Sequence, residues 1–191
     1  GLKSNTKVID VGSNNGLLLQ EYKNLGCKAV GFEPCDRIAQ KARDKEIRTF
    51  SEFFNPLSAK NFALQYRQCD LVVATNSFAH NPDLNEFIEA IKIVLSINGY
   101  FVFENCYILK SLICNDLGQN YFDHFYQHNL LSLVRLFEKH DMELFRVEYR
   151  NVQLCSIRGY VRFKNNQKIK KDNSVEEVIK KEIEFGLDTL E

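Results

Sequence analysis

Seven consecutive residues, Asp10-Val11-Gly12-Ser13-Asn14-Asn15-Gly16, have the types needed to hold a small ligand with backbone as much as with side chains. The glycines allow the chain to approach a ligand closely, and a helix starting after Gly16 offers free N–H groups at its head. Glu33, followed by Pro34, stands about 20 residues past the first glycine, where a carboxylate accepts hydrogen bonds from ribose hydroxyls. That carboxylate serves any adenosine cofactor. Two details favour S-adenosylmethionine over NAD. Asp10 immediately precedes the loop, where it can pair with a cationic methionyl end and would repel a pyrophosphate, and the glycine spacing departs from G-x-G-x-x-G. The competing view is that Asp10 merely orders the turn and that Glu33 is an exposed strand end.

A second group of reactive side chains comes from two distant segments, Asn76-Ser77-Phe78-Ala79-His80 and Tyr121-Phe122-Asp123-His124. Ligands of doubly wound sheets sit outside the carboxyl ends of the strands, so Asn76 and Ser77 are expected beside the cofactor. His80, Tyr121, Asp123 and His124 are then candidates for acid and base work at the same end. His128 and His140 fall on or beside the following helix and read as structural. The six cysteines are scattered without a CxxC pair or a histidine at ligand spacing, so no metal site is expected.

These residues need a scaffold that delivers them to one place. Short β-branched runs at Lys7–Val11, Ala29–Glu33, Ile47–Thr49, Asp70–Thr75 and Tyr100–Glu104 alternate with helical stretches, the pattern of a doubly wound, mainly parallel α/β sheet of the Rossmann-like kind. Leu18, Tyr22 and Leu25, then Ile38 and Ala42, then Phe87, Ile88, Ile91 and Val94 recur at helical spacing and are expected to face the core. An irregular aromatic stretch from Tyr107 to Tyr126 is a natural active-site rim, and a helix follows at Leu130–His140. Glu143–Tyr149 and Gln153–Phe163 read as an antiparallel hairpin on the sheet edge. Ser174 with Glu177 three residues on is a capping-box signature for a tail helix from Ser174 to Phe185 whose stripe is Val175, Val178, Ile179 and Ile183. That stripe needs a partner on this domain, on a second copy in a homodimer, or on sequence beyond it.

Composition narrows the classes. With 191 residues, 25 basic and 25 acidic, the chain suits one domain, expected over residues 1–164, with residues 165–191 as linker and tail helix. The charge balance argues against a nucleic-acid surface, and the basic run from Lys164 to Lys171 reads as a solvated loop. No apolar segment has the roughly 18 residues of a membrane span and no signal-peptide pattern opens the chain, so a cytoplasmic protein without membrane partners is expected.

Taken together, Val8 to Gly16, Gly31-Phe-Glu-Pro34, Asn76-Ser-Phe-Ala-His-Asn-Pro-Asp83, Glu104-Asn-Cys-Tyr107, Tyr121-Phe-Asp-His124 and Ser156-Ile-Arg-Gly-Tyr-Val-Arg162 resemble the sugar C-methyltransferases of deoxysugar pathways. The resemblance implies a class I methyltransferase that uses S-adenosylmethionine to methylate a carbon next to the ketone of a nucleotide-linked sugar through an enolate. It implies His124 as the base, with Tyr121, Asp123 and His80 beside it. The chain departs from the family pattern at Phe122, where the family has His, at Asp123, where it has Glu, and at Gln153-Leu-Cys-Ser156, where it has His-Gly-Gly-Ser. The family's N-terminal zinc-binding domain and C-terminal domain have no counterpart in these residues. A cofactor-binding module with little catalysis, a methyltransferase with another small-molecule acceptor and an NAD-linked oxidoreductase are the alternatives.

Overall fold

The alternation of β-branched runs and helices does produce a wound sheet. The computed structural model describes residues 2–115, 124–150, 156–166 and 168–189. Its strands are β1 (Lys7–Val11), β2 (Lys28–Phe32), β3 (Thr49–Phe50), β4 (Cys69–Thr75), β5 (Leu95–Cys106), β6 (Met142–Arg150) and β7 (Ser156–Phe163). The helices are α1 (Leu17–Asn24), α2 (Asp36–Arg43), α3 (Pro56–Tyr66), α4 (Leu84–Val94), α5 (Ile108–Ile113), α6 (Leu130–Lys139) and α7 (Ser174–Phe185), with a 3-10 turn at Phe78–His80. The sheet order is β3-β2-β1-β4-β5-β7-β6. β3, β2, β1, β4 and β5 pair in parallel, and β7 runs antiparallel between β5 and β6. The predicted fold class and the terminal antiparallel hairpin are therefore both present.

Alternating side chains divide β1 between two layers. Ile9 and Val11 enter the main core with Val72, Phe101, Phe103 and the buried faces of α3, α4 and α6. Val8 packs on the other side with Leu71, Val73 and Tyr22. The main core is rich in phenylalanine: Phe78 lies 5.5 Å from both Phe87 and Phe103, and Phe103 stacks on Phe137 at 5.8 Å. Gly159 of β7 makes room for that ring, since a Cβ there would stand 2.2 Å from the Phe103 ring.

Several expectations about helices are corrected. In α1 the fully buried residue is Leu19, whereas Leu18 and Leu25 are exposed. Helix α3 lies where no helix is legible from a stripe: Phe62 is buried while Leu57 and Leu64 face solvent, and the helix is started by the Asn55 side chain, which accepts from Leu57 N and Ser58 N. The tail helix has the expected bounds but a different cap. Asn173 is its N-cap residue, and Ser174 is the first helical residue, its hydroxyl accepting from Val147 N of β6 and donating to Asp172. Its phase differs too. Val175 and Val178 are buried and Ile179 packs on the core, but Ile183 is 47% exposed and Glu182 is 0% exposed. The stripe thus finds its partner on this domain.

Glu182 explains the rotation. Its carboxylate accepts from Tyr107 Oη at 2.8 Å, Leu130 N at 2.6 Å and Leu131 N at 2.9 Å. The first N–H groups of a helix lack partners within it, and the positive end of the helix dipole favours a carboxylate there. α7 is thereby tied to the head of α6 and to the residue that follows β5.

Candidate functional site

The loop after β1 is shaped by left-handed residues, Gly12 at φ 74°, Asn14 at φ 50° and Gly16 at φ 79°, the last being the N-cap residue of α1. Gly12 N and Ser13 N both donate to Phe32 O, which holds the loop against the end of β2. Glu33 is buried and takes part in this architecture: Oε2 accepts from Asn14 N at 3.1 Å and Oε1 from Cys35 N at 2.9 Å. It is not an exposed strand end. An ionised carboxylate has about four acceptor positions, so two remain for ligand hydroxyls. Ser13 is buried, Asn15 half-buried and Pro34 exposed.

Asp10 is buried on the α1 side of β1, 3% exposed. Burial first, and the nearby Glu33 charge second, push its carboxyl up to about 7. Such a group favours a cationic partner, which would stabilise the ionised form. The loop is joined to β4 by Ser77, whose hydroxyl donates to Val11 O at 2.6 Å. Asn76 sits at φ 52° with its N–H on Glu104 O. A cavity of about 160 Å³ opens here, walled by Gly12, Pro34, Phe53, Phe54, Ser77 and His80. Phe53 and Phe54 were not singled out from sequence, although an aromatic pair directly before the Asn55-Pro56 helix start is a readable signal. A larger cavity of about 420 Å³, bordered by Lys7, Lys28 and Cys69, lies at the amino ends of the strands, away from this loop.

The two distant segments meet. His80 and His124 have ring centroids 4.6 Å apart, and Phe125 N donates to Ala79 O at 3.0 Å. Tyr121 and Asp123 lie outside the described residues. Of the histidines read as structural, His140 joins α4 to the end of α6 through Glu89 Oε1 at 2.7 Å and Asn85 Oδ1 at 3.0 Å. His128 is buried and stacked on Phe78 at 5.2 Å, and burial followed by the neighbouring His124 pulls it down to about 4, so it is neutral near pH 7. Among the described residues no group of His, Cys, Asp or Glu is placed to hold a metal, and no helix is long and apolar enough to cross a membrane.

The fit with an adenosine-type cofactor therefore rests on a buried acid before the loop, left-handed glycines within it, an anchored carboxylate on the next strand and an aromatic slot beside it. Residues 1–147 match the family model described as a methyltransferase domain. The chain belongs to the methyltransferase domain family. The methyltransferase is 29% identical over 157 residues to C-methyltransferase NovU of Streptomyces niveus, an alignment covering 82% of this chain and 37% of NovU. It is also 29% identical over 103 residues to a mitochondrial ubiquinone biosynthesis O-methyltransferase of Rattus norvegicus, covering 54% and 27% of the two chains. The chain thus spans about a third of the curated relatives it matches. Among solved structures, magnesium protoporphyrin IX methyltransferase from Synechocystis with bound SAH superposes with a TM-score of 0.66 at 12% identity, covering 84% of this chain and 75% of that one. A SAM-dependent methyltransferase from Aquifex aeolicus gives 0.61 at 14% identity and covers 84% of each chain. These likenesses show the class I methyltransferase fold.

Proposed function

We propose that this methyltransferase uses S-adenosylmethionine to methylate a carbon next to a ketone, on a nucleotide-linked keto sugar. The observation that supports the reading is the contact between His124 and His80, the latter lining the same cavity as Gly12. The similarity to NovU and the family resemblance support C-methylation as the reaction.

Gly12 to Gly16, Glu33 and Asp10 hold the cofactor, with Asp10 facing its cationic end and Glu33 its ribose. When bound, the cofactor supplies an electrophilic methyl group on a positively charged sulfur. The protein's task is to make a carbon nucleophile next to it. His124 takes the proton from the carbon beside the ketone, and His80 lines the same pocket. The electron pair of the broken C–H bond moves into the enolate and then forms the new C–C bond as the methyl–sulfur bond breaks. A positioned base contributes about 10²- to 10⁴-fold.

Transfer of labelled methyl to a keto-sugar nucleotide tests the reading. His124→Asn is expected to retain cofactor affinity while lowering turnover by about two orders of magnitude or more. Deuterium exchange next to the ketone reports the proton step separately, and exchange that persists in the variant would move the base to His80 or Asp123.

A further inference from the structure

Among the described residues, the buried side-chain atoms without a hydrogen-bond partner gather at one end of the sheet. They include Ser13 Oγ after β1, both Asn105 Oδ1 and Nδ2 near the end of β5, Arg150 Nε at the end of β6, Ser156 Oγ at the start of the antiparallel β7, and His128 Nε2. Unpaired buried polar groups are unfavourable, and the great majority in folded proteins are satisfied. Those nearest the end of β5, where the strand leaves β4 behind, call for a partner with donors and acceptors of its own.

Asn105 is the most informative. It is 1% exposed, and among these side chains it alone leaves two atoms open, an amide donor and a carbonyl acceptor held in fixed geometry. Its backbone pairs with Ile157 on one side, while on the other β4 has already ended at Thr75, opposite Glu104. The backbone just before it, Glu104 O, accepts from Asn76 N, the first residue of the segment that runs to His80. The Asn105 side chain shares the face of β5 that carries Phe103, whose ring touches Phe78, and His128 is stacked on that same Phe78. Tyr107, two residues past Asn105, bridges His128 through the backbone. A hydrophobic residue would fill this position more favourably if packing were all it served.

We propose that Asn105 is an acceptor-binding residue, its Nδ2 donating to the ketone oxygen and its Oδ1 accepting from a hydroxyl on the adjacent carbon. This rests on the proposed function and narrows its substrate class to α-hydroxy ketones. The carboxamide donates to the oxygen that gains negative charge when the enolate forms, so it strengthens as the reaction proceeds. His128, buried and stacked on Phe78, flanks the same face of β5.

The test compares wild type with Asn105→Leu, which keeps the γ-branched shape and removes both polar atoms, and with Asn105→Ala, which controls for altered packing. Each is assayed on a keto-sugar nucleotide and on its analogue lacking the hydroxyl next to the ketone. Expected are unchanged cofactor affinity, a melting temperature for the Leu variant no lower than wild type, and kcat/KM on the hydroxylated acceptor lower by about 10²- to 10³-fold, the loss typical of one such donor. The preference for the hydroxylated acceptor over its analogue should also collapse, an effect that a purely structural role for Asn105 would not produce. Wild-type kcat/KM in both variants, or an undiminished preference, would overturn the assignment. Wild type inactive on every keto-sugar nucleotide would instead defeat the proposed function and the assignment with it.

Discussion

Asp10, proposed to face the cationic end of the cofactor, carries a carboxyl whose ionisation depends on folding. Its carboxyl ionises near pH 3.8 in an unfolded chain and at about 7 in the folded one, because burial and Glu33 disfavour its charge. A raised carboxyl pKa means that the folded state holds a proton which the unfolded state releases. Its stabilising contribution is full below about pH 3.8, declines as pH rises and is gone above about pH 7. Asp10→Asn is therefore expected to raise the melting temperature of the cofactor-free protein more at pH 8 than at pH 4, as differential scanning calorimetry would show. Cofactor affinity should move in the opposite sense, rising through pH 7 in the wild type and staying low and flat in the variant. Titration calorimetry at several pH values checks this. That Asp10 and Glu33 belong to the loop was legible from type and spacing alone. Their mutual repulsion was not, because it depends on burial, and nothing in the piece Glu104-Asn-Cys-Tyr107 shows that the Asn105 amide is buried without a partner.

Elements were legible where one face is buried and the other wet, and less so where tertiary contacts choose the phase. β1 and α7 have their expected bounds, whereas α3 went unseen because its apolar residues surround it and its start depends on the Asn55 cap. β5 extends to Leu95–Cys106, well beyond the expected Tyr100–Glu104, because β7 pairs along its length from Tyr100 to Cys106 and β4 reaches back to Leu95. The β5–β7 pairing also depends on a small residue opposite a large one, Gly159 beside Phe103. Gly159→Ala is expected to push that ring into the phenylalanine cluster and destabilise the protein by about 1–3 kcal/mol, the range for overpacked cores. A urea midpoint lowered at unchanged slope is the outcome that agrees, and an unchanged midpoint would show that the ring can swing aside.

At the scale of the whole molecule, the tail helix, the head of α6 and the residue that follows β5 share one carboxylate. The apolar periodicity of the tail puts Ile183 on the stripe, but an acid that satisfies three donors outweighs an isoleucine at the interface, and hydrophobic pattern alone cannot rank the two. Removing Glu182 leaves Tyr107 Oη, Leu130 N and Leu131 N without their acceptor. Glu182→Ala is expected to destabilise the protein by several kcal/mol, since each buried donor left without its acceptor costs about 1–3 kcal/mol. Hydrogen exchange should show loss of protection concentrated at the head of α6. Cofactor affinity should fall much less than acceptor turnover, since the Gly12 loop and Glu33 lie outside that network.

Synthesis from the N-terminus sets these parts in time. The cofactor loop, Glu33 and the β1–β2–β4 framework are all complete within the first 77 residues. The head of α6 is made 51 and 52 residues before the carboxylate that caps it. A ribosome must therefore finish α7 before the head of α6 and Tyr107 have their shared acceptor, long after the Gly12 loop is in place. Chains stalled ahead of Glu182 should already bind labelled cofactor while the head of α6 stays open to hydrogen exchange, and release of one further helix would close it.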